Sequence, residues 1–240
     1  MEGKGADMMN ADSKFSLINL QVQSLLSHDT SGHGMDHVNR VLRLALQFAE
    51  KEGANEEIVS LIAMLHDVDD YKLVGPELAG KLSNARNIMT NAGVDPTTQQ
   101  SVLQAISTMG YSKSLKGIRS ATLEGKIVSD ADMCDALGAN GIIRTYTYSM
   151  KNGKPFFDKN IFPRENLSQE QYTGKCSDSS VCHLFEKILK LKGMMLTEAG
   201  RAEAAKRHRV IVDFLYQLFE EENAPQWAEY LDKYLQILYH

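Results

Sequence analysis

The sequence predicts an all-α protein, because its apolar residues recur mainly at the three- and four-residue spacing of a helix face. Only five prolines occur, and strand-like alternation of apolar and polar residues is scarce. The hydrophobic fraction of 43% is enough to form a sizeable core. We therefore expect one helical domain over residues 13–240, preceded by a disordered tail over 1–12.

Several helix ends are marked by residues with known end preferences. Gly53 ends one helix, and Asn55 is a typical N-cap for the next, which runs to His66. Pro76 suits the first turn of a helix over 76–93. The other expected helices cover about 14–27, a stretch after Asp95–Pro96, 121–137, 141–150, 178–192, 198–222 and 225–238.

Residues 152–166 form the clearest long loop, because this stretch carries a glycine, two prolines and several turn formers. We interpret the loop as an insertion in a single all-α domain. The last helix, over 225–238, could pack on its own core or on a second subunit, which leaves a homodimer open.

The composition excludes some classes of partner. A net charge of −5 and a pI near 5.8 argue against a nucleic-acid-binding protein, which would usually carry a basic face. We expect no secretory signal, because the first residues lack an apolar core, and no apolar run has the length that crosses a bilayer. Three cysteines without pairing or metal spacing predict reduced thiols and a cytoplasmic location.

Asp130 is predicted to face the core, since Leu123, Ile127, Cys134 and Leu137 recur around it at steps of three to four residues. A carboxylate in that position is costly unless it is paired, hydrogen-bonded or bound to a metal. For Asp130 taken alone, a structural salt bridge is the favoured explanation.

His66 lies on the same helix face as Ile58, Ile62 and Leu65, so it too is predicted to point inward. Asp67 follows about 100° further round the helix, so both residues reach one ion only where the helix edge meets a cleft. A single inward histidine is more often a hydrogen-bonded core residue.

His37 lies near a helix start, four residues ahead of Val41 on one face, while Asp36 and Arg40 have the spacing of a local ion pair. Although each candidate has a structural explanation when taken singly, we interpret the ordered set as one metal site. Two imidazoles and two carboxylates suit Mn²⁺, Mg²⁺, Fe²⁺ or Ni²⁺ better than a thiolate-seeking metal.

Three segments, GHGMDHVNRV, MLHDVDD and VSDADMCDALGANGIIR, resemble the HD-domain metal-dependent phosphohydrolases. The resemblance covers a core over about 20–145, and HLFEKILKLKGMMLTEAGRAEAAKRHRVIVDFL resembles the C-terminal helices of a bacterial branch of that family. It implies a compact HD-type helical bundle with a C-terminal helical extension over about 167–240. By the same resemblance, the metal ligands are His37, His66, Asp67 and Asp130.

The resemblance also implies the number of metal ions. Dinuclear members of the family use additional histidines after the His-Asp pair, and this chain has none between residues 67 and 183. We therefore expect one divalent ion, with Mn²⁺ favoured. The chain departs from the bacterial branch at Gly34–Met35, where the branch has Asp-Trp, and at Met133–Cys134, where it has Arg-Leu.

Other polar residues are candidates for catalysis and for substrate binding. Asp70 would point toward the metal opening if its helix continued, and could accept a proton from the attacking water; a solvent-facing role explains it equally. Lys72 could hold a phosphate as a compact positive charge. The candidates for substrate binding are His33, Arg40, Arg144 and His183.

The resemblance implies metal-assisted hydrolysis of a phosphoester or phosphoanhydride in a nucleotide-like substrate. Our first expectation is cleavage of a nucleoside triphosphate to monophosphate and pyrophosphate. A nucleoside monophosphate phosphatase and a non-catalytic metal- or nucleotide-binding regulator are the alternatives. The sequence has no GxxxxGK phosphate loop, no HExxH motif and no aromatic platform for single strands, which argues against those classes of protein.

Overall fold

Regular secondary structure in the described part of the chain is entirely helical, which confirms the predicted all-α fold class. The chain divides into two compact units, residues 1–131 and 132–240. The expectation of a single domain stays a prediction. No described helix is long and apolar enough to cross a membrane. The computed structural model describes residues 3–27, 34–164 and 177–239, except for the side chains of residues 3–12, 72 and 239.

The first unit is built from helices joined by short turns. The backbone of α1 is helical from Gly3, where the sequence predicted a disordered tail. Ala and Met, both good helix formers, occur in those first turns. The helices are α1 (Gly3–Leu26), α2 (Met35–Glu52), α3 (Glu56–Leu65), α4 (Tyr71–Val74), α5 (Pro76–Ala79), α6 (Ser83–Asn91), α7 (Pro96–Thr108), α8 (Tyr111–Leu115) and α9 (Leu123–Asp135), which contains the division between the units.

Helix α3 is the centre of the first unit and packs against α1, α2 and α7. Its ends follow the sequence signals. Gly53 closes α2 with φ +70°, and the Asn55 side chain accepts hydrogen bonds from the backbone amides of Glu57 and Ile58 at 3.0 and 3.2 Å. Five consecutive side chains at the end of α3, from Leu61 to Leu65, are buried.

The predicted helix over 76–93 is two helices, which corrects the sequence expectation. Pro76 does occupy the first turn of α5, but that helix ends after one turn. Leu82 has φ +50°, which breaks the helical path, and α6 then starts at Ser83. The buried carboxylate of Asp69 accepts hydrogen bonds from the amides of Asn84 and Ala85 at 3.0 and 2.9 Å. A side chain distant in sequence therefore caps α6, which local spacing does not reveal.

In the second unit, the helix over Glu198–Glu221 packs against the helices over Gly138–Lys151 and Pro225–Tyr239 and against the 3₁₀ helix over Ile188–Met194. The predicted helix over 178–192 changes type at Lys187, where the backbone leaves helical angles. The described part of the predicted 152–166 loop, up to residue 164, lacks helix after Asn152. The elements are α10 (Gly138–Lys151), α11 (Ser180–Glu186), the 3₁₀ helix (Ile188–Met194), α12 (Glu198–Glu221) and α13 (Pro225–Tyr239).

Helix α10 begins three residues before its predicted start at residue 141. Gly138 has φ +74° and opens the helix, and Gly141 lies inside it. A Cβ atom at Gly141 would lie only 2.1 Å from the Ala136 carbonyl oxygen. Gly141 is therefore required by a close backbone approach and does not end a helix.

Helix α13 packs on the core of its own unit through Trp227, which is fully buried. The indole Nε1 donates to the Lys159 carbonyl at 3.0 Å, and the Phe162 ring stacks on the indole at 4.4 Å. Leu231, one turn further along, is also fully buried. The sequence left two environments open for this helix, and the structure gives it a core within its own chain.

Candidate metal centre

Three side chains of the first unit converge on one point. The Nε2 atoms of His37 and His66 lie 3.2 Å apart. The Asp67 Oδ2 atom is 3.3 Å from the first of these nitrogens and 3.4 Å from the second. The two imidazoles are almost fully buried, and the Asp67 side chain is 11% exposed. Two ring nitrogens and one carboxylate oxygen thus meet in a shielded position with limited access to solvent.

The local fold explains how neighbours in the chain reach the same point. His37 lies in the first turn of α2, and its amide donates to the Gly34 carbonyl at 3.0 Å. Helix α3 ends at Leu65, and a turn follows in which the Asp70 amide donates to the Asp67 carbonyl at 3.0 Å. The turn replaces a continuing helix, so His66 and Asp67 can be directed to one centre.

The tautomer of His66 follows from its hydrogen bond to the chain. Its Nδ1 lies 2.8 Å from the Ala63 carbonyl oxygen, which can only accept, so Nδ1 carries the proton. In the neutral ring the Nε2 lone pair then faces His37 and Asp67. A lone pair directed at a carboxylate oxygen is unfavourable unless a cation lies between them. The donor set therefore fits a divalent metal of the kind that imidazole and carboxylate ligands bind.

Asp130 is fully buried on α9, together with Ile127 and Cys134, as the apolar stripe predicted. Its assignment as a metal ligand stays a prediction. Asp132, two residues later on the same helix, is half-buried and was not weighed from the sequence. The apolar stripe predicts only that Asp130 faces the core, and it does not show which carboxylate of α9 approaches the two imidazoles. The second aspartate of the Asp-Ala-Asp sequence was the signal that Asp132 is also a candidate ligand.

The helix of His66 does not continue to Asp70, so the condition under which Asp70 would point toward the metal opening is not met. The α3 helix has ended by then, and the Asp70 carbonyl accepts hydrogen bonds from the amides of Leu73 and Val74 at 2.8 and 3.0 Å, which starts α4. Arg40 is half-buried on α2. His33 and the side chain of Lys72 lie outside the described residues.

Arg144 and His183 belong to the second unit and have structural partners there. Arg144 donates from Nη1 to the buried Asp135 carboxylate at 2.8 Å. His183 lies 3.2 Å from the Ser177 hydroxyl through Nδ1. Burial, followed by the charge of Lys187, lowers the pKa of His183 to about 3, so the ring is neutral at physiological pH. Neither contact indicates a role in substrate binding.

The two departures from the bacterial branch lie in different surroundings. Gly34 is the N-cap of α2 and provides no side-chain cap. Met133 and Cys134 are both buried, and the Cys134 sulfur lies 4.0 Å from the Met195 sulfur. Cys134 and Cys182 are both free thiols, as the sequence predicted, and Cys176 lies outside the described residues.

Comparison with known proteins gives a consistent result. The model of the HD domain family matches residues 34–137. YpgQ of Bacillus subtilis, an uncharacterized protein, is 34% identical over 199 residues, which span 82% of this chain and 88% of YpgQ.

Solved structures show the same similarity. A crystal structure from Lactobacillus plantarum has a TM-score of 0.75 at 36% identity and covers 88% of this chain and 97% of its own. An HD-superfamily hydrolase from Bacillus thuringiensis has a TM-score of 0.70 at 32% identity, with 90% and 99% covered. YpgQ crystallised in complex with ADP has a TM-score of 0.67 at 28% identity, with 88% and 96% covered.

Proposed function

Because this chain belongs to the HD domain family, we propose that it is a metal-dependent phosphohydrolase whose substrate is a nucleotide. The observation that carries the proposal is the convergence of the His37 and His66 Nε2 atoms on the Asp67 carboxylate. When bound, a divalent ion supplies positive charge for phosphate oxygens and lowers the pKa of a coordinated water. We expect the protein to bind one divalent ion, with Mn²⁺ favoured.

Helix α9 supplies the remaining carboxylate in this proposal. Asp130 is the ligand implied by the family resemblance, but it is fully buried. Asp132 is more accessible, and with His37 and His66 it offers the donor types that a divalent ion requires. Residues two positions apart in a helix point in directions about 200° apart, so only one of the two aspartates can face a given centre. We assign the role to Asp132.

The nucleotide part of the proposal is supported by YpgQ, since that relative was crystallised with ADP. Our specific expectation is hydrolysis of a nucleoside triphosphate to monophosphate and pyrophosphate. The roles of Asp70 and Lys72 stay predictions in this scheme: Asp70, which lies beyond the end of α3, would accept a proton from water, and Lys72 and Arg40 would contact phosphate oxygens. Arg144 is a weaker candidate for such a contact, since its guanidinium already neutralises Asp135.

The experiment combines metal analysis with a substrate panel. Purified protein is loaded with Mn²⁺, its metal content is measured, and nucleoside tri-, di- and monophosphates are tested for release of pyrophosphate and orthophosphate. His66→Ala and Asp67→Ala should lose both bound metal and turnover. Glu50→Gln, which removes an exposed carboxylate from α2, is the matched control and should retain both.

Each outcome of the panel decides between candidate functions. Pyrophosphate release supports the triphosphate reaction, and orthophosphate from monophosphates supports the alternative phosphatase. Tight nucleotide binding without turnover of any phosphate compound would support a regulator and overturn the enzymatic proposal. Full activity of either ligand variant would show that the centre is misassigned.

A further inference from the structure

The segment over residues 96–123 is locally cationic in an acidic chain. It contains Lys113, Lys116 and Arg119 and no aspartate or glutamate, whereas the whole protein has a net charge of −5. The segment comprises α7, α8 and the loop that leads to α9, all within the first unit. No acidic residue within the segment compensates this positive charge, and Asp95 and Glu124 flank it.

Arg119 carries a buried polar atom that lacks a partner. Its Nη1 is buried and makes no hydrogen bond to any described residue. A guanidinium stays protonated at any physiological pH, so the group keeps its charge in this position. A buried N–H of a charged group without an acceptor is destabilising, and such groups in folded proteins call for an explanation. An anion that accepts from this nitrogen would provide one.

Lys113 adds a second cation whose charge is not neutralised by its contact. The half-buried ammonium group donates to the Ser107 carbonyl, a neutral acceptor, at 2.6 Å. Burial lowers the pKa of Lys113. The segment thus offers donors and positive charge together.

The backbone next to Arg119 is held in a fixed place. Ser120 is buried, and its Oγ would lie 2.1 Å from a Cβ atom at Gly125. The Ala105 Cβ of α7 would lie 3.0 Å from the same added atom. The loop is therefore packed tightly between α7 and α9. A ligand that binds Arg119 would contact a side chain whose neighbouring backbone is already ordered.

We propose that Arg119 is the centre of an anion-binding subsite for a phosphoryl group, with Lys113 contributing charge. The bidentate fork of arginine matches phosphate oxygens, and a phosphate dianion suits the surplus of cations in the segment. The phosphoryl group can come from a nucleotide or from inorganic phosphate. The subsite needs no metal, so it goes beyond the proposed hydrolysis and can be tested separately from it.

The test uses the full chain in EDTA, where the metal centre is empty. Calorimetry measures binding of inorganic phosphate, ADP, adenosine and acetate at constant ionic strength. Arg119→Met should weaken phosphate and ADP binding by about tenfold or more. Arg119→Lys keeps the charge without the fork and should also bind more weakly. Arg43→Met, which removes an exposed arginine from α2, is the control and should bind like the wild type.

Melting temperatures, measured with and without phosphate, show whether a loss of binding comes from a change in the stability of the variant. Phosphate should raise the melting temperature of the wild type but not that of Arg119→Met. In phosphate-free buffer, Arg119→Met should melt at the same temperature as the wild type or at a higher one. Equal stabilisation of both proteins by phosphate, or no binding of phosphate and ADP by the wild type, would overturn the proposal.

Two comparisons identify the source of the anion and separate the subsite from the metal centre. ADP binding at least about tenfold tighter than phosphate points to a nucleotide, and equal affinities point to free phosphate. His66→Ala should lose turnover but keep phosphate binding in EDTA. Loss of that binding would place the anion at the metal centre and contradict a separate subsite.

Discussion

The Nε2 atoms of His37 and His66 lie 3.2 Å apart, although the two residues are 29 positions apart in the chain. The contact depends on the packing of α2 against α3 and on the Ala63 carbonyl, which fixes the His66 ring through Nδ1. Both rings therefore present the same type of nitrogen to the Asp67 carboxylate. This pairing of rings is the geometric basis of the proposed metal centre.

The two aspartates of α9 are predicted to have different roles. Asp132→Asn should lower metal affinity by more than the roughly 10–100-fold that loss of a supporting hydrogen bond costs, because it removes a proposed ligand. Asp130→Asn should instead reduce stability by about 1–3 kcal/mol, because an accepting carboxylate oxygen becomes a donating NH2 group and the partner of this buried side chain loses its acceptor. Metal titration and urea unfolding of both variants measure the two effects. The opposite pattern would restore Asp130 as the ligand.

His208 is predicted to make the protein less stable in mild acid. Burial, and secondarily the charge of Lys192, lower the pKa of His208 from 6.5 to about 4. Between pH 6.5 and about 4, His208 is protonated in the unfolded chain but stays neutral in the folded chain. The contribution of His208 to stability is therefore complete above pH 6.5 and is lost as the pH falls toward 4.

Urea unfolding at several pH values tests this prediction. The free energy of unfolding of the wild type should fall relative to that of His208→Gln by on the order of 2–3 kcal/mol between pH 7.5 and 4.5. The buried His183 is retained in both proteins, so its own acid dependence cancels in the difference. Parallel stability curves for the two proteins would contradict the assignment.

Asp69 is predicted to be a structural residue despite its place beside the metal centre. Its carboxylate accepts from the amides of Asn84 and Ala85, so Asp69→Ala should cost about 1–3 kcal/mol by leaving α6 uncapped. Asp95→Ala removes an exposed cap from α7 and should cost about 1 kcal/mol. Denaturant unfolding compares them, and a smaller loss for Asp69→Ala would argue against the capping role.

Trp227 is predicted to anchor α13 to the rest of the second unit. Trp227→Ala should destabilise that unit by about 3–5 kcal/mol, because it empties a buried aromatic site and removes the hydrogen bond to the Lys159 carbonyl. Ile237→Ala, on the same helix but 80% exposed, should change the free energy by less than about 0.5 kcal/mol. Thermal and urea unfolding measure both. Similar losses in the two variants would mean that the helix is held elsewhere.

Local signals predicted the elements whose ends depend on nearby residues. Asn55 and Asp95 cap the helices that follow them, as expected, since an N-cap acts within three residues. The division of the 76–93 helix was not predictable in this way, because Asp69 reaches α6 from 15 positions earlier. The start of α10 at Gly138 was also not predicted, and the Ala136 carbonyl that excludes a side chain at Gly141 is visible only in three dimensions.

The sequence by itself determined the helical class, the inward direction of Asp130 and the family to which the chain belongs. Each of these rests on residue order and periodicity, which a chain carries whether or not it is folded. Only the tertiary structure decided that His37, His66 and Asp67 meet within hydrogen-bonding range, that α3 ends before Asp70, and that Arg119 has a buried nitrogen without a partner. Distances and burial arise from packing between segments, and no local pattern records them.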